Sequence, residues 1–445
     1  MSQLPQTLPA LPTQALPQVQ QLPQIPPVHQ VLKLPQLPTI QQSVQLPQAT
    51  TPGLDVGRLP SAAGTLVPPN SVPLQQLRAT TVRNLLRQHA DVLEADPAGE
   101  AVRRQELLLV SPTPALLDAA LAQGFAVLRD RALPELDLRQ VLVRPPPGMP
   151  TVQALALLRA LGPQVDADFN HIYTPSGEVG SPVSVAPAVR TPARRVGLID
   201  GGLDRQHPAL RSGVVQLWGC NGVPSPSAHG TAVASLLVGR DEAFAGVLTG
   251  STLYAADIYC GQPAGGAAET IASALAWLAR EGVAVVNISL VGPPNRLLER
   301  AVQALHRKGF IVVAAVGNDG PAAPPLYPAA YPGVVGVTAV SSQRSVLPEA
   351  AQGSQVMFAA PGVALAAAEA GGGYAPVRGT SFAAPVVAGI LAQSLRNPNP
   401  TAAARAVARL AAAAVDLGAP GLDPVFGLGL VGEGLVRPAV DAKRP

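Results

Sequence analysis

Ser381 stands in Gly379-Thr380-Ser381-Phe382-Ala383-Ala384-Pro385-Val386-Val387-Ala388-Gly389, between a Gly-Thr turn and an apolar run with small residues at helical spacing. Proline suits the first turn of a helix, where no intrahelical hydrogen bond is lost, so Pro385 places Ser381 at a helix N-terminus. Free backbone N–H groups and the positive end of the dipole gather there, a setting that can hold a nucleophile and the oxyanion it creates. A capping Ser-Thr pair before a buried helix is the alternative. His229 heads a second small-residue run, His229-Gly230-Thr231-Ala232-Val233-Ala234. Its Gly and Ala permit close backbone packing and a rigid imidazole, which makes His229 the candidate base. His207, before Pro208, reads as a turn or packing residue. Asp200 closes the strand Arg195-Val196-Gly197-Leu198-Ile199 ahead of Gly201-Gly202, and an acid at the carboxyl end of a parallel strand is where α/β sites are built. A turn aspartate is the other reading. Asn318, in Gly317-Asn318-Asp319-Gly320 after the strand Phe310 to Val316, can aim its amide into a site or simply suit a turn.

The elements that must carry these residues alternate strand and helix over 194–440, as in a parallel α/β sheet. Residues 252–258 and 283–290 read as further strands, the second followed by a Ser289-Leu290-Val291-Gly292-Pro293 loop with exposed backbone. After the first strand, Gly197 and Gly201-Gly202 lack the G-x-G-x-x-G spacing of a dinucleotide site, which argues against a nucleotide-binding oxidoreductase.

Residues 76–173 have a different texture. Leu77, Val82, Leu85, Leu86 and Val92 trace a short amphipathic helix ended near Pro97. Strands are expected over Glu106 to Val110, Phe125 to Arg129, Val141 to Arg144 and Val165 to Tyr173, with helices over Pro114 to Gln123 and Thr151 to Leu161. That βαββαβ order is the small α+β ferredoxin-like arrangement, which by itself names no function. Residues 174–193, rich in Pro, Ser, Ala and Val, read as an exposed linker. In 1–75, Leu-Pro-Gln recurs at 4–6, 16–18, 22–24, 34–36 and 46–48, and prolines at this density predict a disordered, partly polyproline-II tract. No charged n-region followed by an apolar h-region is visible.

The chain has 445 residues, formal net charge +3, 13% charged residues and 3% aromatics, so neither a basic face nor stacking platforms point to nucleic acid. Cys220 and Cys260, the only cysteines, form one disulfide or fill the core. No run of about 20 apolar residues is free of Gly and Pro, against a membrane span.

Taken together, Val196-Gly197-Leu198-Ile199-Asp200 with Gly202, His229-Gly230-Thr231-Ala232-Val233-Ala234, Gly317-Asn318 and Gly379-Thr380-Ser381 follow the order Asp, His, Ser of the subtilisin-like (subtilase) serine peptidases, which region 194–440 resembles. Weaker echoes are Asn287-Ile288-Ser289-Leu290, Tyr327-Pro328-Ala329 and Phe426-Gly427-Leu428-Gly429-Leu430-Val431. The resemblance implies a parallel-sheet catalytic domain that hydrolyses peptide bonds of protein or peptide substrates through an acyl-enzyme. Asp200, His229 and Ser381 would be catalytic and Asn318 the oxyanion donor. Ser289, Leu290, Val291, Gly292 and Asp319 would line the substrate site. Where the family has Ser or Thr after the aspartate this chain has Gly201, and Phe382 and Val386 replace Met and His. The family's calcium loops are not recognisable, so no cofactor or essential metal is expected. The βαββαβ region resembles the propeptide that acts as an intramolecular inhibitor, with Val165 to Tyr173 as its blocking strand. A secreted or periplasmic location is implied, and the rival reading is a non-catalytic binding or adhesion protein on the same scaffold. Val291, where the family has Gly, argues for small residues before the scissile bond, Asp319 for Lys or Arg, with Val291 weighted more. Cleavage of the chain itself is expected at Ser176, Ala186 or Ala188 rather than directly after Tyr173.

Overall fold

A computed structural model describes residues 77–162, 164–181, 193–223, 225–242, 244–436 and 438–439. The Leu-Pro-Gln tract and the positions Ala186 and Ala188 lie outside them.

The N-terminal part runs α1 (Leu77–Gln88), β1 (Leu93–Ala95), β2 (Ala101–Val110), α2 (Pro114–Ala122), β3 (Ala126–Leu133), β4 (Leu138–Arg144), α3 (Thr151–Ala160) and β5 (Ala167–His171). From β2 onward this is the expected βαββαβ order, closed into one antiparallel sheet in which β2 pairs β4 and β5, β4 pairs β3, and β1 pairs the start of β2. Two boundaries differ from the sequence reading. The first helix stops at Gln88, before Val92, and β2 begins at Ala101 because β1 supplies backbone partners for its early residues. β2 shows how the sheet is used. Leu107 and Leu109 join Val141, Val143 and Leu158 on the face covered by the domain's own helices. Leu108 and Val110 face the other way and join the core beneath the catalytic sheet's helices. A strand buried on both faces reads as a continuous apolar run, here Leu107 to Val110.

The remainder comprises β8 (Arg195–Asp200), α4 (Pro208–Arg211), β9 (Val215–Trp218), α5 (Ala228–Val238), β10 (Thr252–Asp257), α6 (Ala268–Arg280), β11 (Val285–Ile288), β12 (Leu290–Val291), α7 (Arg296–Arg307), β13 (Ile311–Ala315), β14 (Val335–Val340), β15 (Phe358–Pro361), β16 (Val363–Ala368), β17 (Tyr374–Arg378), α8 (Thr380–Ser394) and α9 (Pro400–Ala413). Seven of these strands form one parallel sheet, in the order β15-β14-β13-β11-β8-β10-β9. Val196 and Leu198 pack toward α5 and α8, whereas Ile199 packs toward α6 and α7. Helices on both faces leave the carboxyl edge of the sheet open for a site.

Between the two parts, β6 (Thr174–Pro175) pairs antiparallel with β12, and β7 (Glu178–Val179) pairs antiparallel with β17. The sequence reads this stretch as exposed linker. Its described part instead forms strand pairings, and Ser176 is buried. Thr-Pro-Ser-Gly has little strand propensity of its own, so the unpaired edges of β12 and β17 supply the order.

Candidate active site

The four expected residues converge at the carboxyl ends of β8, β11 and β13. Asp200 ends β8 and is fully buried. The Gly201 N–H donates to its Oδ1 at 2.7 Å, so a backbone group holds the carboxylate although Gly201 has no side chain to do so. A Cβ on Gly201 would fall 2.5 Å from the Ser227 Oγ. Ser227 therefore occupies the space of the missing side chain, and it caps α5 by accepting from Gly230 N–H at 2.9 Å. That helix delivers His229. Its Gly230 lies so close to the strand end that a Cβ would meet the Gly201 carbonyl oxygen at 2.3 Å.

His229 Nδ1 lies 2.9 and 3.0 Å from the two Asp200 oxygens. With the Nδ1 proton directed at Asp200, the lone pair is on Nε2, which is buried without a hydrogen-bond partner. The Phe382 ring packs against the imidazole, with centroids 5.3 Å apart. No second acid replaces Asp200: Asp257, at the end of the neighbouring strand, is pushed up by burial and by the Asp200 charge, against hydrogen bonds from the Tyr259 and Cys260 N–H groups.

Ser381 is the second residue of α8, and Pro385 the sixth. The proline is thus inside the helix, not in its first turn as the sequence suggests. A proline there strands the carbonyl four residues back, and that carbonyl belongs to Ser381. The structure satisfies it: Ser289 Oγ donates to Ser381 O at 2.8 Å and accepts from Asn287 Nδ2 at 2.9 Å. The Ser381 hydroxyl donates back to Ser289 O at 3.0 Å. Asn287 and Ser289 therefore hold the Ser381 peptide in place, a role invisible in sequence because the two segments are about ninety residues apart.

Asn318 Oδ1 accepts from Thr380 N–H at 3.1 Å, which turns the amide nitrogen outward to donate to Ser176 Oγ at 2.7 Å. Gly177 passes close by, since a Cβ on Gly379 would meet its Cα at 2.7 Å. Upstream, Tyr173 N–H donates to Gly266 O at 3.0 Å, and the buried Tyr173 hydroxyl donates to Pro293 O at 2.7 Å. Thr174 opposes Val291 and Pro175 opposes Leu290. An extended peptide from Tyr173 to Val179 therefore crosses the site, its Ser176–Gly177 bond beside Asn318 and α8.

The N-terminal domain is fixed over this site through α6 and α7. Asn170 Oδ1 accepts from Glu269 N–H at 3.3 Å, and Asp168 Oδ2 accepts from Arg296 N–H at 2.9 Å, so β5 caps the first turns of both helices. Arg129 pairs with Glu269, whose carboxyl is pushed up by burial and held back by that guanidinium.

Cys220 and Cys260 form a disulfide. With Asp257 they bring possible ligand atoms within 4.8 Å of one another, but the sulfurs are bonded to each other and are not thiolates. No helix among the described residues is long and apolar enough to cross a membrane.

The family model described as "Subtilase family" matches residues 193–429. Subtilisin DY of Bacillus licheniformis is 32% identical over 232 residues, half of this chain and 84% of that protein. Subtilisin BL of Lederbergia lenta is 34% identical over 212 residues, 46% of this chain and 77% of that protein. Fervidolysin from Fervidobacterium pennivorans, described as a keratinolytic enzyme related to subtilisin, shares the fold with a TM-score of 0.62 at 21% identity. That alignment covers 76% of this chain and 61% of fervidolysin. With such a match over half its length, this chain belongs to the subtilase family and is a serine endopeptidase acting on protein or peptide substrates.

Proposed function

We propose that Asp200, His229 and Ser381 form the catalytic triad, and that the chain is a self-inhibited precursor whose N-terminal domain blocks the cleft. The observation that carries this reading is the Tyr173–Val179 peptide, which passes Asn318 and the first residues of α8. For catalysis the Ser381 hydroxyl turns from Ser289 O toward His229 Nε2, which takes its proton as the oxygen attacks a peptide carbonyl. Asp200 keeps the imidazole in the required tautomer and stabilises the imidazolium. The Asn318 amide and the Ser381 N–H receive the oxyanion. His229 then protonates the leaving amine, and water releases the acyl group by the same steps in reverse.

Residues 77–173 fit the inhibitor role because their sheet buries Leu108, Val110 and Leu142 against α6 and α7, each worth about 1.5–3 kcal/mol when fully buried. This reading assigns self-cleavage to Ser176–Gly177, one of the three positions considered from sequence, because that bond lies beside Asn318. The disulfide fits an oxidising compartment, which favours export to the periplasm or medium.

Ser381→Ala tests the assignment. The variant should fold, lose peptidase activity and leave the 173–193 junction intact, while a fluorophosphonate should attach to Ser381 of the wild type. Label on another residue, or near-normal activity in Ser381→Ala, would refute it.

A further inference from the structure

Beside Ser176 the peptide leaves a cavity of about 260 Å³ bounded by Val291, Asn318, Asp319 and Arg78. At ~30 Å³ per water molecule that is room for a long side chain. The Ser176 hydroxymethyl ends at Asn318 and does not fill it. Asp319 lines this cavity with a side chain only 15% exposed, and its Oδ2 is buried without a hydrogen-bond partner. The positive charge facing it is Arg78 from α1, Nε 4.0 Å away and 12% exposed, which also makes a two-point contact to Glu100. Arg378 does not serve Asp319. It is held by Glu349 through hydrogen bonds of 2.7 and 2.8 Å, and that pair is neutral as a unit.

We propose that in the active peptidase Asp319 selects a Lys or Arg side chain at the residue preceding the scissile bond, and that Arg78 holds this cation's place in the precursor. The inference rests on the catalytic reading above and names the substrate class for that site. Arg78 and Glu100 both lie upstream of Ser176, so they leave together with the N-terminal domain. Asp319 then loses the cation beside it, and a substrate cation restores the pairing. Val291, read from the sequence as favouring small residues over Lys or Arg, is compatible with a long cation in a cavity of this size. Its stiff β-branch narrows one wall, which an unbranched methylene stem passes more easily than an aromatic ring. The small residue at 176 belongs to the same arrangement, because a long side chain there would displace Arg78.

The test offers the self-processed full-length chain peptides that differ only before the scissile bond, with Ala, Phe, Lys or Arg. Fluorophosphonate labelling of Ser381 counts active sites. Wild type should cleave after Lys and Arg on the order of tenfold or more faster, as kcat/KM, than after Ala. Asp319→Asn should bring that ratio close to one while still taking the label. Butylguanidine, an unbranched alkyl cation, should slow labelling of the wild type. A labelled wild type that cleaves equally well after Ala or Phe, an Asn variant that keeps the Lys preference, or labelling indifferent to butylguanidine would overturn the inference alone. A chain that neither takes the label nor cuts any peptide would overturn the catalytic reading and the inference with it.

Discussion

Pro385 and Ser289 make one unit although 96 positions separate them. The proline removes the N–H that would bond Ser381 O, and the Ser289 hydroxyl replaces it. Ser289→Ala should therefore destabilise the folded chain by about 1–3 kcal/mol, the cost of an unpaired buried carbonyl. Adding Pro385→Ala should recover most of that loss by returning a helical N–H. Denaturant titrations of both variants in a Ser381→Ala background, where autolysis is absent, give the coupling energy directly. At Asn318 the expectation is kinetic. Alanine there should lower turnover by about two to three orders of magnitude with little change in KM, whereas a rise in KM alone would mark a binding contact. Asp200, His229, Asn318 and Ser381, which the fold brings together, were readable because each sits in its own local pattern. Ser227 behind Gly201 and the position of Pro385 were not, because both depend on a partner brought in by the fold.

At the level of elements, the N-termini of α6 and α7 are finished by a strand of another domain. Ala267, at the cap position of α6, has no side chain to offer its first turn, and Asn170 supplies the acceptor. Removing one such cap costs about 0.5–2 kcal/mol. Asn170→Ala and Asp168→Ala, introduced into the separately supplied N-terminal domain, should each raise its inhibition constant against the catalytic domain by roughly 2- to 30-fold, the same energy expressed as affinity. An unchanged constant would show that these caps are dispensable. The βαββαβ order was legible because apolar periodicity and closing glycines mark each piece. β6 and β7 were not, since their partners β12 and β17 lie more than a hundred residues downstream. Arg78 escaped notice for the same reason: nothing near position 78 points to residue 319.

For the whole chain, the Arg78–Asp319 contact makes stability depend on pH. Burial pushes the Asp319 carboxyl up, and Arg78 opposes that push. A carboxyl whose folded pKa lies above its unfolded value weakens the fold once pH exceeds the unfolded value, and the penalty disappears as pH falls through the folded pKa. Arg78→Ala removes the opposing charge and enlarges the penalty. The variant should lose stability at neutral pH and approach its parent under acidic conditions, as read from urea midpoints in the Ser381→Ala background. A difference that grows on acidification would contradict this sign.

Under the proposed self-cleavage, the two pairings on either side of Ser176–Gly177 would also set the timing of activation. When that bond breaks, the upstream end is still clasped by β12 and the Tyr173 hydroxyl, and the downstream end by β17. Two ends held face to face can rejoin, so hydrolysis alone commits the molecule to nothing. Departure of one end is the irreversible event, and the lag before activity should follow how tightly each clasp holds rather than how fast Ser381 cuts.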